Sequence, residues 1–131
     1  ILLMFILTWT FDSFAYLVGK KLGKTKILPT ISPKKSWEGF FGGYLFCILV
    51  SSLSYFVFED YFNHISTLSY ILITIILPFT ATTGDFIESY YKRKAGVKDS
   101  GKIMPGHGGI LDRMDAFLIT IPVIYIIINI T

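Results

Sequence analysis

The sequence is short of charge. Asp, Glu, Lys and Arg together make up 16 % of its 131 residues, against roughly 25 % in a typical soluble domain. A chain of this length cannot clothe a water-facing surface with so few charges, which excludes an ordinary soluble globule. Cysteine is nearly absent. Cys47 stands alone, so no disulfide framework holds the fold, and its setting in an apolar run makes it a packing residue. The two histidines, His64 and His107, are far apart. Histidine-rich and thiolate metal centres are therefore disfavoured. No internal repeat, low-complexity segment or Pro/Gly/Ser linker divides the chain, so a single domain over 1–131 is expected. What is plentiful is apolar: 53 % hydrophobic residues, with twelve Phe, eight Tyr and two Trp, and a mean hydropathy of +0.61. That composition excludes disorder and leaves an integral membrane protein.

Ile1 already lies inside an apolar run, with no basic n-region or small-residue cleavage site before it. No signal peptide is read there, and the expectation is the C-terminal half of a longer chain. Four stretches have the length and character of membrane spans. Residues 39–58 and 65–84 carry no charge, 1–19 is apolar except for Asp12, and 116–131 is uncharged, with its helix beginning further back, near Gly109. Pro78 and Pro122 fall inside two of these, which helices in lipid tolerate. The expected fold class is all-α, a polytopic membrane protein of about four transmembrane helices.

The loops set the orientation. Lys20, Lys21, Lys24, Lys26, Lys34 and Lys35 lie between the first two spans, and Lys92, Arg93, Lys94, Lys98, Lys102 and Arg113 between the last two. The middle loop carries Glu59, Asp60 and His64 and no Lys or Arg. By the positive-inside rule, both basic loops face the cytoplasm. Trp37, Tyr90 and Tyr91 fit an inner aromatic belt, and Phe58, Tyr61 and Phe62 an outer one. Plain topology determination explains such loops when nothing else lies between the charges.

Here acids and glycines lie between them. Asp12 interrupts an apolar run. Asp85 follows the third span directly, and Glu88, Ser89 and Lys92 follow it at offsets that share a helix face. Asp112 and Asp115 share a face at the start of the fourth span. A carboxylate at membrane depth is a functional candidate, and its bland alternative is a structural ion pair with a neighbouring Arg or a loop lysine. Several Asp oxygens on one side of a membrane suit Mg²⁺ with phosphate ligands. Pro105-Gly106-His107-Gly108-Gly109 opens into the fourth helix, where a glycine loop can offer backbone N–H groups to an anion or merely turn the chain. Gly19-Lys20-Lys21-Leu22-Gly23-Lys24-Thr25 resembles a P-loop, but its glycine spacing is one residue short and no strand precedes it. Ser32-Pro33-Lys34-Lys35-Ser36-Trp37-Glu38-Gly39 reads as a helix start, with Ser32 or Ser36 as cap and Pro33 at the first helical position.

Ser89-Tyr90-Tyr91-Lys92-Arg93, Lys98-Asp99, Gly101, Pro105, His107-Gly108-Gly109 and Leu111-Asp112-Arg113-Met114-Asp115 together resemble the signature of the CDP-diacylglycerol synthases, or phosphatidate cytidylyltransferases. Asp12-Ser13-Phe14-Ala15-Tyr16 with Gly19-Lys20 and Gly23-Lys24, the segment 31–39, and Gly84-Asp85 with Glu88-Ser89 are similar to the same family. Ala116 departs from it, since many members carry Ser there. The resemblance implies a Mg²⁺-dependent membrane enzyme that converts CTP and phosphatidic acid to CDP-diacylglycerol and pyrophosphate in phospholipid biosynthesis. Its site faces the cytoplasm, from a bacterial inner membrane or a eukaryotic endoplasmic reticulum or organelle membrane.

The implied metal ligands are Asp85, Asp112 and Asp115, with Asp99 and His107 also at the catalytic centre. Lys92, Arg93, Lys98, Arg113 and the Gly108 and Gly109 amides are the implied phosphate contacts. Lys20, Lys24, Ser32, Lys34, Lys35, Ser36, Glu88 and Ser89 complete the substrate-binding set. The implied partners are CTP, phosphatidic acid and membrane lipid, without nucleic acid, and a homodimer is a candidate assembly. Three other readings compete. A lipid kinase shares the chemistry. A CDP-alcohol phosphotransferase spaces its acids by four residues where Asp112 and Asp115 are three apart. An ion-coupled transporter would place its charges near the midplane, where only Asp12 qualifies.

Overall fold

The computed structural model describes residues 2–58, 62, 65–97 and 111–131, with the backbone alone at 111–113 and 115. Among these residues the order is α1 (Leu2–Leu22), β1 (Lys26–Leu28), β2 (Ser32–Ser36), α2 (Trp37–Val57), α3 (Thr67–Lys94) and α4 (Leu111–Ile130). Helices α1, α2 and α3 are each long and apolar enough to cross a membrane, and α4 carries a shorter apolar run, Ala116–Ile130. Pro78 and Pro122 lie inside α3 and α4. Outward-facing positions are as apolar as inward ones: Leu2, Trp9, Leu53, Phe56 and Tyr125 are all exposed. Helices that are apolar all round belong in hydrocarbon, and the chain is an all-α polytopic membrane protein with one small hairpin.

The helices alternate in direction, and two layers of core show it. Met4, Leu7, Cys47, Ile73, Leu77, Phe117 and Ile127 form one cluster. Phe11, Phe40, Ala81 and Ala116 form the other, nearer the basic loops. Several hydroxyls buried in the spans are satisfied locally or across helices. Thr8 and Thr120 donate to the carbonyls of Met4 and Ala116 at 2.8 and 2.7 Å. Ser51 pairs with Thr74 at 2.6 Å and Thr80 with Thr120 at 3.0 Å. An unpaired hydroxyl would be costly in this setting.

Helices α1 and α2 pack with almost nothing between their backbones. A Cβ at Gly39 would lie 2.6 Å from the Ala15 carbonyl oxygen, and one at Gly43 would lie 2.7 Å from that of Phe11. At Gly42 the obstruction is the Val18 side chain, at 2.6 Å. Lipid offers no hydrophobic drive for helix pairing, so close packing of small residues supplies it.

The segment before α2 departs from the helix start expected at Pro33. Ser32–Ser36 is a strand, and α2 begins at Trp37. Ser36 is the cap, accepting from the Gly39 N–H at 3.2 Å. Strand β2 pairs antiparallel with β1, and Lys26 faces Ser36 while Leu28 faces Ser32. Residues 33–35 therefore oppose Ile27 alone, a bulge that accommodates Pro33 without a ladder donor. The hairpin is clasped to α2 by Thr25. Its N–H donates to both Glu38 carboxylate oxygens, at 3.0 and 3.2 Å, and its carbonyl accepts from the Trp37 N–H at 3.0 Å. The would-be P-loop is the end of α1 followed by a strand, which removes the strand–loop–helix context that such a motif needs. Ser36→Ala removes the cap and is expected to cost about 1 kcal/mol, read as a lower midpoint of thermal unfolding in detergent.

Candidate active site

A cavity of about 280 Å³ opens where α1, the hairpin, α2 and α3 meet, and its polar lining residues are Asp12, Tyr16, Ser32, Lys34, Lys35, Ser36 and Thr82. The bulge turns Lys35 across to α3, where its ammonium pairs with the Asp85 carboxylate and lies 4.8 Å from the Phe86 ring centroid. Neither member of the pair is sealed: the Lys35 and Asp85 side chains keep 30 % and 22 % of their exposure. Asp12 projects from α1 toward the cavity, with the Asp85 carboxylate and the Lys35 ammonium as its charged neighbours. The arrangement is two carboxylates from different helices, with the Lys35 ammonium paired to one of them.

One turn along α3, Glu88 is buried and its Oε2 accepts from Lys92 Nζ at 2.9 Å. Among the described residues, nothing donates to the other carboxylate oxygen, Oε1, which is buried. The shared helix face expected for Asp85, Glu88, Ser89 and Lys92 is thus realised, and Ser89 is half-buried. Lys20, Lys24, Lys34 and Arg93 are exposed, and Lys20 lies 6.0 Å from the Tyr16 ring centroid. Ser36 is buried against the end of α1, where a Cβ at Gly19 would come within 3.2 Å of its Oγ.

Lys98, Asp99, His107, Gly108 and Gly109 lie outside the described residues. Asp112, Arg113 and Asp115 occupy the first turn of α4. Helices α3 and α4 pack together, with Ala81 and Ala116 in one cluster. Position 85 is four residues beyond Ala81 and position 112 four before Ala116, so both sit one turn further toward the basic loops on the contacting faces. Among the described residues, no group of three or more Asp, Glu, His or Cys side chains is assembled.

The donor chemistry fits a hard divalent cation. The available ligands are carboxylate oxygens beside a mostly apolar cavity with one polar wall, and a cation, the Lys35 ammonium, is already drawn to one of them. Mg²⁺ is usually held by one or two carboxylates and completed by phosphate and water. The sequence singled out Asp12 as an intramembrane acid and gave it no role. Its signal was its spacing: Ala15 and Gly19, at offsets of three and seven, face the α2 glycines, so the exposed Asp12 lies beside that contact.

The whole chain, residues 1–131, matches the model of the cytidylyltransferase family. The chain belongs to that family. Among its relatives, the phosphatidate cytidylyltransferases of Staphylococcus aureus strain COL and Staphylococcus epidermidis strain RP62A are each 47 % identical over 128 residues. That of Staphylococcus saprophyticus is 46 % identical over the same length. In each case the match covers 98 % of this chain and 48 % of the relative. The cytidylyltransferase chain described here thus spans about half the length of the curated relatives it matches.

Proposed function

We propose that the full-length protein carrying this chain is a phosphatidate cytidylyltransferase, acting on CTP and phosphatidate at the cytoplasmic face of the membrane. The observation that carries the reading is the partly exposed Lys35–Asp85 pair beside a cavity walled by Asp12, Ser32, Lys34 and Ser36. It lies in a chain 47 % identical to an enzyme of that name. Both substrates are phosphates and one is a lipid. A basic, carboxylate-bearing cavity at the end of a transmembrane bundle suits both.

In this reading a phosphatidate phosphate oxygen attacks the α-phosphorus of CTP. The new P–O bond forms as the bond to the bridging oxygen of the departing pyrophosphate breaks. Such transfers depend on positioning and charge stabilisation. Asp85, with Asp112 and Asp115 from α4, would hold Mg²⁺, which supplies charge neutralisation and orientation of the phosphates. Lys92 and Arg93 reach phosphate oxygens from the end of α3, and Glu88 orients Lys92. Lys98, Arg113 and the Gly108 and Gly109 amides contribute from the loop and the start of α4. Lys34, Lys35 and Ser36 meet phosphate from the hairpin side, and Lys20 and Lys24 attract it.

Labelled CTP, phosphatidate and Mg²⁺ supplied to membranes holding the full-length protein are expected to yield CDP-diacylglycerol and pyrophosphate. Absence of both products ends the reading. The orientation has its own test, made in a full-length protein whose cysteines outside this chain are replaced by Ser; within the chain the one thiol, Cys47, is buried. In intact cells, a membrane-impermeant maleimide is expected to label Asp60→Cys and to spare Lys24→Cys. Labelling at position 24 reverses the topology.

A further inference from the structure

We propose that Lys35 is an exchangeable placeholder for the divalent cation: its ammonium holds Asp85 until the cation arrives, and is then released into the adjoining cavity to meet a phosphate. The proposal rests on the reading of Asp85 as a metal ligand and adds what the resting site does with that charge.

Three observations carry it. The first is charge. Lys35 pairs with Asp85, and Asp12 has both as charged neighbours, so a second acid stands beside the pair to attract a cation. The second is exposure. The ammonium and the carboxylate retain 30 % and 22 % of their surface, so a hydrated ion can reach Asp85 without unfolding anything, and a pair of this exposure is weakly held. The third is where Lys35 can go. It sits in the bulge of β2, where three residues oppose one, and it already forms part of the cavity wall beside Ser32, Lys34 and Ser36. When Asp85 turns to a divalent ion, the four-carbon stem can swing the ammonium from the carboxylate to the cavity while the hairpin stays clasped by Glu38. A buried structural salt bridge would lack the second and third features.

The consequence is coupling. Cation binding at Asp85 places a positive charge where an anionic substrate binds, and phosphate in the cavity draws Lys35 away from Asp85 and so favours the cation. One side chain then links two ligands, and by linkage the effect is reciprocal.

The test reads Lys35 itself. The full-length protein in phosphatidylcholine nanodiscs is treated briefly with a water-soluble acetylating ester, and the modification rates of Lys35 and Lys34 are measured by mass spectrometry. Without divalent ions, Lys35 is expected to react more slowly than Lys34. Saturating Mg²⁺ is expected to raise the Lys35 rate about fivefold, the factor an ion pair of this exposure can contribute. Lys34 should be unchanged, and KCl at equal ionic strength should have no effect. In Asp85→Asn, Lys35 should react fast with or without Mg²⁺.

Mn²⁺ binding, followed by electron paramagnetic resonance in the wild type and Asp85→Asn, separates the two claims. If Mn²⁺ binds and Asp85→Asn weakens it, but Mg²⁺ leaves the Lys35 rate unchanged or lowers it, the placeholder is wrong and the metal reading stands. If Mn²⁺ binds the two proteins equally, both fall.

Discussion

Replacing Asp85 by Asn is expected to lower turnover at least about 10²-fold, the scale of losing several kcal/mol of transition-state stabilisation. Membrane insertion should be retained. Asn keeps the shape of the side chain and removes the charge that attracts both Lys35 and a divalent cation. Asp112→Asn is expected to behave alike, because positions 85 and 112 lie one turn beyond the Ala81–Ala116 contact on facing helices. A purely structural role for the Lys35–Asp85 pair leads to a different result: less folded protein, with normal activity in what remains. Activity per folded molecule, measured in detergent with the folded fraction taken from size-exclusion chromatography, separates the two. Raising Mg²⁺ should restore part of the lost rate if affinity is the defect. Asp60→Asn, in the acidic loop, is the control and should be close to silent. Normal specific activity in both Asn variants would remove the metal from the mechanism.

The second large effect is on folding. Gly43→Val puts a branched side chain where a single Cβ already comes within 2.7 Å of the Phe11 carbonyl oxygen and 2.9 Å of the Ala15 Cβ. The two helices must separate. Their separation opens the Phe11–Phe40 contact, now 5.6 Å between ring centroids, and moves Asp12 away from the hairpin. The expected cost is about 3 kcal/mol or more, the upper range for overpacking, enough to leave little folded protein. Gly39→Val meets the Ala15 carbonyl oxygen at 2.6 Å and should fail in the same way. Monodisperse protein at normal yield for both variants would show that α1 and α2 do not depend on this contact.

The spans were legible because uncharged runs of about 20 residues have few other uses, and α1 to α3 fall where those runs lie. The helix face bearing Asp85, Glu88, Ser89 and Lys92 was legible from spacing alone. The hairpin was not. Its strands lack the alternation that marks β structure, Pro33 argues for a helix start, and the bulge shifts the register between β1 and β2. What decides the outcome is the clasp between Thr25 and Glu38, a contact across thirteen positions that no local pattern announces. The same holds for Lys35 and Asp85, fifty residues apart. Each was visible as a charged residue near a membrane edge, and only folding shows that they meet. The basic loop between α3 and α4 carried the richest motif, and its central part, residues 98–110, lies outside those described.

The α1–α2 contact also bears on how the chain can drift in sequence. At Gly42 the neighbour is the Val18 side chain, so a larger residue at 42 can be answered by Val18→Gly, and the two positions can change together over generations. Gly39 and Gly43 abut main-chain oxygens of Ala15 and Phe11. Every amino acid carries that oxygen, so no replacement at position 11 or 15 makes room. A genetic screen starting from a Gly42 variant should recover revertants at position 18. One starting from Gly39 or Gly43 has no partner residue in α1 to recover and should return only the original glycine.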